Sequence, residues 1–379
     1  MALKTITYFG ASSLTKMIIN PSTITSTITS VALVANMLSG AAATLLSPDV
    51  TVERFISWKN RYNVSYPTPT EELVRFNIWA DTNDYVTLRN VQHSSWVADT
   101  NRFADQTADE FNSWANGMFP LGAKYADRDM HVSTNTHLPS SIDWRTNNVV
   151  NPVKNQAQCG SCWAFSAIGS LESQYALKNK KLISFSEQDL VDCVQNVDGC
   201  CYGCGGGLMD AAFTYMVQSQ NGNDDLESVY KYTGMDGTCQ FKNDGPGYGG
   251  IIGHKDIVAG SDADLKDALV HVGPISIGVD ANYDWQVYSG GVYTPGEDGC
   301  SSDPSQMDHG VVLVGYGHDS FNGVKKNYWI IRNSWDKTWG IDGYMYLDSD
   351  VDNACGISNS ASYPVLADVT TGGNMKMEA

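Results

Sequence analysis

Basic side chains are scarce in this chain: 24 Lys and Arg stand against 42 Asp and Glu, a formal charge of -18. Nucleic acid and anionic membrane surfaces would repel such a chain over a Debye length, which excludes both as expected partners. Long apolar runs are also missing. The one that stands out, Val31 to Leu46, is shorter than the ~20 residues a membrane span needs and contains Asn36, Ser39 and Gly40. No stable membrane span is expected. Internal repeats are absent, as is any low-complexity tract beyond a Ser/Thr-rich start, so repeat arrays and disordered linkers are excluded. What remains is a chain of 379 residues, 42% hydrophobic and 11% aromatic. That is enough for one large catalytic domain with an appended segment, or for two ordinary domains. The surplus of carboxylates suits an acidic compartment, where partial protonation relieves self-repulsion.

The start of the chain carries Lys4 and Lys16, then the apolar run with its Gly40-Ala41-Ala42-Ala43 end. This reads as a secretory signal over residues 1–43, shortened if translation starts at Met17; an N-terminal anchor is the alternative. Nine cysteines in clusters agree with an oxidising compartment. Their odd number leaves at least one thiol unpaired: a nucleophile, an intermolecular link or an accident. Asn63-Val64-Ser65 is a glycosylation sequon.

From about Pro48 to Met130, Phe55, Trp58, Leu73, Phe76, Trp79 and Val86 recur at helical intervals. Thr68-Pro69-Thr70-Glu71 has the composition of a helix start. After Leu138 the pattern is mixed. A helix is expected from Cys162 towards Lys178, with Phe165, Ile168, Leu171 and Leu177 on its core face. Gly273 to Val279, His309 to Tyr316, Asn327 to Asn333 and Gly343 to Leu347 read as antiparallel strands between Gly-rich turns. The fold class is α+β.

The chemistry concentrates in Gln156-Ala157-Gln158-Cys159-Gly160-Ser161-Cys162-Trp163, just ahead of that helix. A thiol at a helix N-terminus feels the partial positive charge of unsatisfied N–H groups, which favours thiolate. Near pH ~5 an ordinary cysteine is only about 0.03% thiolate, so a nucleophile working there needs a cationic partner such as imidazolium.

Cys-Gly-Ser-Cys-Trp resembles the active-site signature of papain and the cathepsins, and further segments match in the same order, so that the chain from Pro48 to Val365 resembles papain-like cysteine peptidases of the cathepsin L type. The resemblance implies a two-lobed fold, with a helical left lobe and an antiparallel, β-barrel-like right lobe, preceded by a helical propeptide. It implies Cys162 as nucleophile and His309, in Met307-Asp308-His309-Gly310, as its partner. Asn333, in Asn333-Ser334-Trp335, would orient the ring under the cover of Trp335, and Gln156 with the Cys162 N–H would form the oxyanion hole. Asp336 stands where the family has glycine; aspartate tolerates positive φ better than most residues. Substrate would lie along Gly206 and Gly207, beside Asp308, with its P2 side chain among Leu208, Met209, Gly278, Met307 and Ser360. An apolar pocket of this kind favours Leu- or Phe-like residues. No His-His insertion of the cathepsin B kind blocks the cleft, which implies endopeptidase action.

By the same resemblance Cys159 pairs with Cys204, Cys193 with Cys239 and Cys300 with Cys355, leaving Cys162 free. Cys200 and Cys201 depart from the pattern, and a vicinal disulfide, two thiols and a metal cluster with Cys204 stay open for them; with no histidine nearby, no metal site is expected. No cofactor is required. Residues 48–137 are expected to be an inhibitory propeptide, carrying Glu71, Arg75, Trp79, Val86 and Asn90, then Asn101, Phe103 and Asp105, with Thr82 and Asp99 as departures. In such relatives this segment runs backwards through the cleft. Residues 138–365 would be the catalytic domain, with cleavage a few residues before Leu138, and 366–379 a C-terminal tail. Expected partners are protein or peptide substrates and the chain's own propeptide, in a monomer of the secretory pathway destined for a lysosome, a vacuole or the exterior. A catalytically silent relative would have lost Cys162, His309 or Asn333, and none is lost. An acyltransferase using the same pair would incorporate amines instead of water.

Overall fold

The computed structural model describes residues 48–92, 95–120, 129–134, 136–197, 199–242, 248–296, 299–321 and 323–368; the expected leader at 1–43 and tail residues 369–379 lie outside them. The chain divides into two compact units, one ending at Phe76 and one beginning at Asn77.

The first unit is built from α1 (Pro48–Tyr62) and the opening of α2 (Pro69–Val91). Thr68 caps α2 as its sequence suggests, with the Glu71 N–H donating to Thr68 Oγ1 at 3.1 Å and Pro69 in the first turn. Phe55 stacks on Trp58 and meets Phe76 edge-on, with centroids 5.8 and 5.2 Å apart. Lys59 pairs with Glu72, and Arg75 with Glu71 one turn away.

In the second unit the chain continues through the rest of α2, β1 (Trp96–Ala98) and α3 (Ala108–Ala115). Asn90 clamps β1 to α2 by donating to the Ala98 carbonyl at 2.8 Å and accepting its N–H at 3.0 Å. A capping box between Thr107 and Glu110 starts α3. Beyond these lie β2 (Ile142–Asp143), α4 (Cys162–Asn179), α5 (Glu187–Cys193), α6 (Met209–Ser219), β3 (Ile251–Asp256), α7 (Asp262–His271), β4 (Ile275–Val279) and β5 (Tyr288–Tyr293). β6 (His309–Phe321), β7 (Val324–Arg332), β8 (Tyr344–Asp348) and β9 (Ala361–Leu366) complete the large sheet; a short helix, Tyr283–Val287, and two separate two-stranded ribbons lie outside it.

Nine strands form one sheet in the order β1-β5-β8-β7-β6-β4-β9-β3, with β2 also paired to β6. β1 therefore forms one edge and β3 the other. Pairing is antiparallel, as the sequence pattern suggests, except that β5 and β8 run parallel, and the sheet stays open. Two large hydrophobic clusters result, with a smaller one at Val312, Val314 and Ile330. Ile275, Ile277, Val311, Leu313, Trp329 and Ile331 centre one on the sheet; Ile168, Leu171, Leu190, Phe213 and Met216 centre the other on α4, α5 and α6.

The expectation of a one-sided core face on α4 needs correction. Ser166, Gly169, Ser170 and Ser173 are buried too, while Leu177 is only half-buried. The small polar face lies on the sheet: Ser166 Oγ donates to the Val311 carbonyl at 2.7 Å, and Ser276 Oγ to the Ser166 carbonyl at 2.8 Å. Small side chains permit this close approach, and each hydroxyl finds a backbone partner, as burial requires.

Candidate active site

Cys162 is the first residue of α4, buried, and free of any disulfide. The loop before it is fixed by the Cys159–Cys204 bridge; Cys193–Cys239 and Cys300–Cys355 are the other two. β6 begins at His309 and crosses the start of α4 at once. A Cβ at Gly310 would sit 3.1 Å from the Cys162 carbonyl oxygen and 3.2 Å from the Trp163 Cα, so glycine is what allows strand and helix to meet there. Register does the rest. Val312 pairs with Arg332, the last residue of β7, so the next residue, Asn333, comes alongside the beginning of β6. Its Oδ1 lies 2.9 Å from His309 Nε2. Trp335, fully buried, stacks on the imidazole with centroids 4.6 Å apart.

Gln156 points its side chain into the same place. Its Oε1 accepts from Ser334 Oγ at 2.7 Å, which orients the amide so that Nε2 donates to the carbonyls of Cys159 and Ala115, each at 3.0 Å. Ser334 was not singled out from sequence, although it stands inside the Asn333-Ser334-Trp335 motif. Asp336 has φ +69, and its Oδ1 accepts the Thr338 N–H at 3.0 Å, so the carboxylate caps its own turn.

Residues 116–119 lie over the Cys162 sulfur. The Gly117 N–H donates to Cys162 Sγ at 3.2 Å. The Met118 N–H donates to the Asp308 carbonyl at 2.8 Å, the Gly207 N–H to the Gly117 carbonyl at 2.8 Å, and the Phe119 N–H to the Gly207 carbonyl at 3.2 Å. This bridge between Met118 and Gly207 is parallel. Met118, buried, shares one hydrophobic cluster with Leu208, Met209 and Met307. Its Cε and Sδ lie where a Cβ on Gly278 would be, with Ser360 behind. Phe119 stands over Gly206 and edge-on to Tyr202. Gly206, Gly207, Gly278 and Asp308 thus lie against this segment, while Leu208, Met209 and Met307 share the cluster of Met118 and Trp335 covers the His309 ring. The segment itself, Trp114 to Phe119, was not picked out in the sequence; Gly117 was its one visible signal.

The electrostatics follow from that occlusion. Burial pushes the Cys162 thiol up to about 11, with the Gly310 and Gly117 N–H groups only partly offsetting it. Burial drives His309 down to about 4 against the opposing effect of its hydrogen bonds to Asn333 Oδ1 and to the Ala115 backbone. Both members of the pair are therefore held neutral. Burial also raises the Asp308 carboxyl to about 7, although it accepts from the Ala281 N–H at 2.9 Å and from Asn116 Nδ2 at 2.8 Å.

Cys200 and Cys201 lie outside the cleft contacts, both buried, with Sγ atoms 2.6 Å apart. Among the described residues the one group suited to a metal ion is Asp210, His254 and Asp256, not these thiols. No helix among the described residues is long and apolar enough to cross a membrane.

A buried thiol and imidazole under a bound strand of the same chain describe a cysteine protease held as a proenzyme. The papain family cysteine protease profile matches residues 138–365 and the cathepsin propeptide inhibitor domain matches residues 55–111; the chain belongs to the papain family. Procathepsin L of Mus musculus is 42% identical over 314 residues, covering 82% of this chain and 90% of that protein. A digestive cysteine proteinase of Homarus americanus is 38% identical, over 88% of this chain and 99% of its own. The structure of digestive procathepsin L 3 from Tenebrio molitor larval midgut superposes with a TM-score of 0.74 at 34% identity, covering 83% of this chain and 99% of that one. The protein is accordingly a cathepsin L-like cysteine protease with its inhibitory propeptide in place.

Proposed function

We propose that the processed chain is an endopeptidase that cuts through a Cys162 thiolate–His309 imidazolium pair and a thioester, with a preference for apolar P2 side chains. Cys162 attacks the peptide carbonyl, His309 protonates the departing amine and then activates the water that hydrolyses the thioester. Asn333 fixes the ring, and Gln156 with the Cys162 N–H stabilises the oxyanion. The observation that carries this reading is the identity of what the prosegment covers. Four contiguous residues, Ala115 to Met118, occupy the Gln156 amide, the Cys162 sulfur, the Gly207 backbone and the apolar pocket together. Met118 in that pocket supports the apolar P2 preference.

On this reading residues 48–137 act as the inhibitor, 138–365 as the enzyme, and the cut falls shortly before Leu138. The protease enters the secretory pathway and acts in a lysosome-like compartment or outside the cell, as a monomer on protein substrates. The test is to acidify purified precursor, add an epoxysuccinyl probe and map the adduct. Labelling of Cys162 in step with prosegment loss is expected; a label elsewhere refutes the site. Mass spectrometry of the products should show water addition alone, where amine incorporation would indicate acyl transfer. Gln156→Ala should lower kcat about 100- to 1000-fold with KM little changed, since the amide acts on charge present only in the tetrahedral intermediate.

A further inference from the structure

The prosegment has a second anchor that the blockage of the cleft does not require. Met130 bridges in parallel to Asp256, at the end of β3, an outer strand of the sheet, and the chain runs on to Thr134 beside α7. The Asp256 N–H donates to the Asp129 carbonyl at 3.0 Å and the His131 N–H to the Asp256 carbonyl at 2.7 Å. From that edge His131 turns inward and is buried. Its Nε2 lies 3.0 Å from Asp267 Oδ1 on α7, and its Nδ1 3.0 Å from the Tyr363 hydroxyl on β9. Thr134 completes the grip, its N–H donating to Asp267 Oδ1 at 3.2 Å and its hydroxyl to Oδ2 at 2.8 Å. Ser133 bonds Asp264, and Lys255 meets the Asp129 carboxylate at 3.4 Å.

Removing residues 129–134 would strip three of these bonds from the Asp267 carboxylate, leaving it with His271 Nδ1 at 3.4 Å. It would also uncover an N–H and a carbonyl on a sheet edge. Buried carboxylates and open strand edges both favour recapture of a partner over exposure. We propose that the processed enzyme retains this surface as an exosite. Its ligand is an extended segment of a protein substrate that adds to β3 and carries an imidazole or ammonium side chain for Asp267, with a hydroxyl three residues later. The ligand chemistry is read from the chain's own Asp129-Met130-His131-Val132-Ser133-Thr134, which is seated there. The proposal rests on the proenzyme reading only in that this segment must leave.

The probe is that hexapeptide, acetylated and amidated, titrated by calorimetry into processed enzyme whose Cys162 is blocked by the epoxysuccinyl label. Binding of one peptide per chain is expected despite the blocked cleft. The peptide with His131→Ala should bind about 10- to 100-fold more weakly, the size of a lost charge-assisted hydrogen bond. Because the substitution is in the peptide, folding of the enzyme is not at issue. With unblocked enzyme, the hexapeptide should raise KM for an unfolded polypeptide about threefold or more, by removing edge-strand recruitment, and leave hydrolysis of a short chromogenic peptide unchanged. No binding to the blocked enzyme, equal binding of the His131→Ala peptide, or competition with the short substrate would each overturn the exosite. Failure of the protease reading shows separately, as a short peptide left uncut before any hexapeptide is added.

Discussion

Valine at Gly117 is expected to raise the rate at which iodoacetamide alkylates Cys162 in the intact precursor by about a thousandfold or more. A Cβ at this position would fall 1.9 Å from the Gly160 carbonyl oxygen and 2.3 Å from its carbon. Both partners are backbone, and the Gly160 loop is tied down by the Cys159–Cys204 bridge, so the clash can be relieved only by lifting the segment. Lifting it breaks the N–H bond to the sulfur, the bridge to Gly207 and the Ala115 bond to Gln156 together. While covered, a thiol near 11 is thiolate to roughly one part in 100,000 at about pH 6. Once uncovered, His309 can accept the proton and hold the charge pair. Leu88→Val, at an exposed position on α2, is the control and should leave the rate unchanged. An unaltered rate in Gly117→Val would mean that the segment does not gate the thiol.

Cys162→Ala should reduce hydrolysis by on the order of a millionfold, the loss typical when a covalent nucleophile is removed from a catalytic unit. The same variant exposes the proton balance of closure. Covering His309 lowers it to about 4, below an ordinary imidazole at about 6.5. The closed state is thus fully favoured above about pH 6.5 and loses that advantage as pH falls towards 4, by about tenfold per unit. On the proposed mechanism the thiol gives its proton to the imidazole on opening, so no net proton is taken up and this slope should cancel in the unsubstituted chain. In Cys162→Ala it should reappear. The measurement is the rate at which an added protease cuts Trp114 to Phe119, taken as a ratio to Cys162→Ala/His309→Gln, in which the slope should vanish. The ratio cancels groups common to both, including Asp308. Burial raises Asp308 to about 7, so its protonation favours closure and works in the opposite sense. A flat ratio would mean that His309 does not titrate on opening.

The proposed nucleophile was legible because its requirements are local: a helix start and the residues around it lie within one stretch of sequence. His309 and Asn333 were legible through their own short contexts, and the structure adds why they meet, through the β6–β7 register and the missing side chain at Gly310. What the sequence concealed was tertiary. The Ser166, Gly169 and Ser170 face of α4 reads as solvent-exposed, because hydroxyls that will bond a neighbouring strand look the same as hydroxyls that will meet water. The cleft-filling segment was hidden for a similar reason. Asn116-Gly117-Met118-Phe119 has no periodicity of its own, and its place is set by the backbone groups of Gly207 and Asp308. The pattern likewise could not show that β5 and β8 run parallel, since alternation along a strand is blind to its neighbour's direction.

The direction of the strand over the sulfur has a kinetic consequence. Because Gly117 offers an amide hydrogen to the Cys162 sulfur and Met118 bridges Gly207 in parallel, the segment is expected to escape digestion by the molecule it blocks, and the first cut in a population of precursors is expected to come from another molecule. Conversion should therefore begin with a lag that shortens as the protein is concentrated, and a trace of finished enzyme should abolish it.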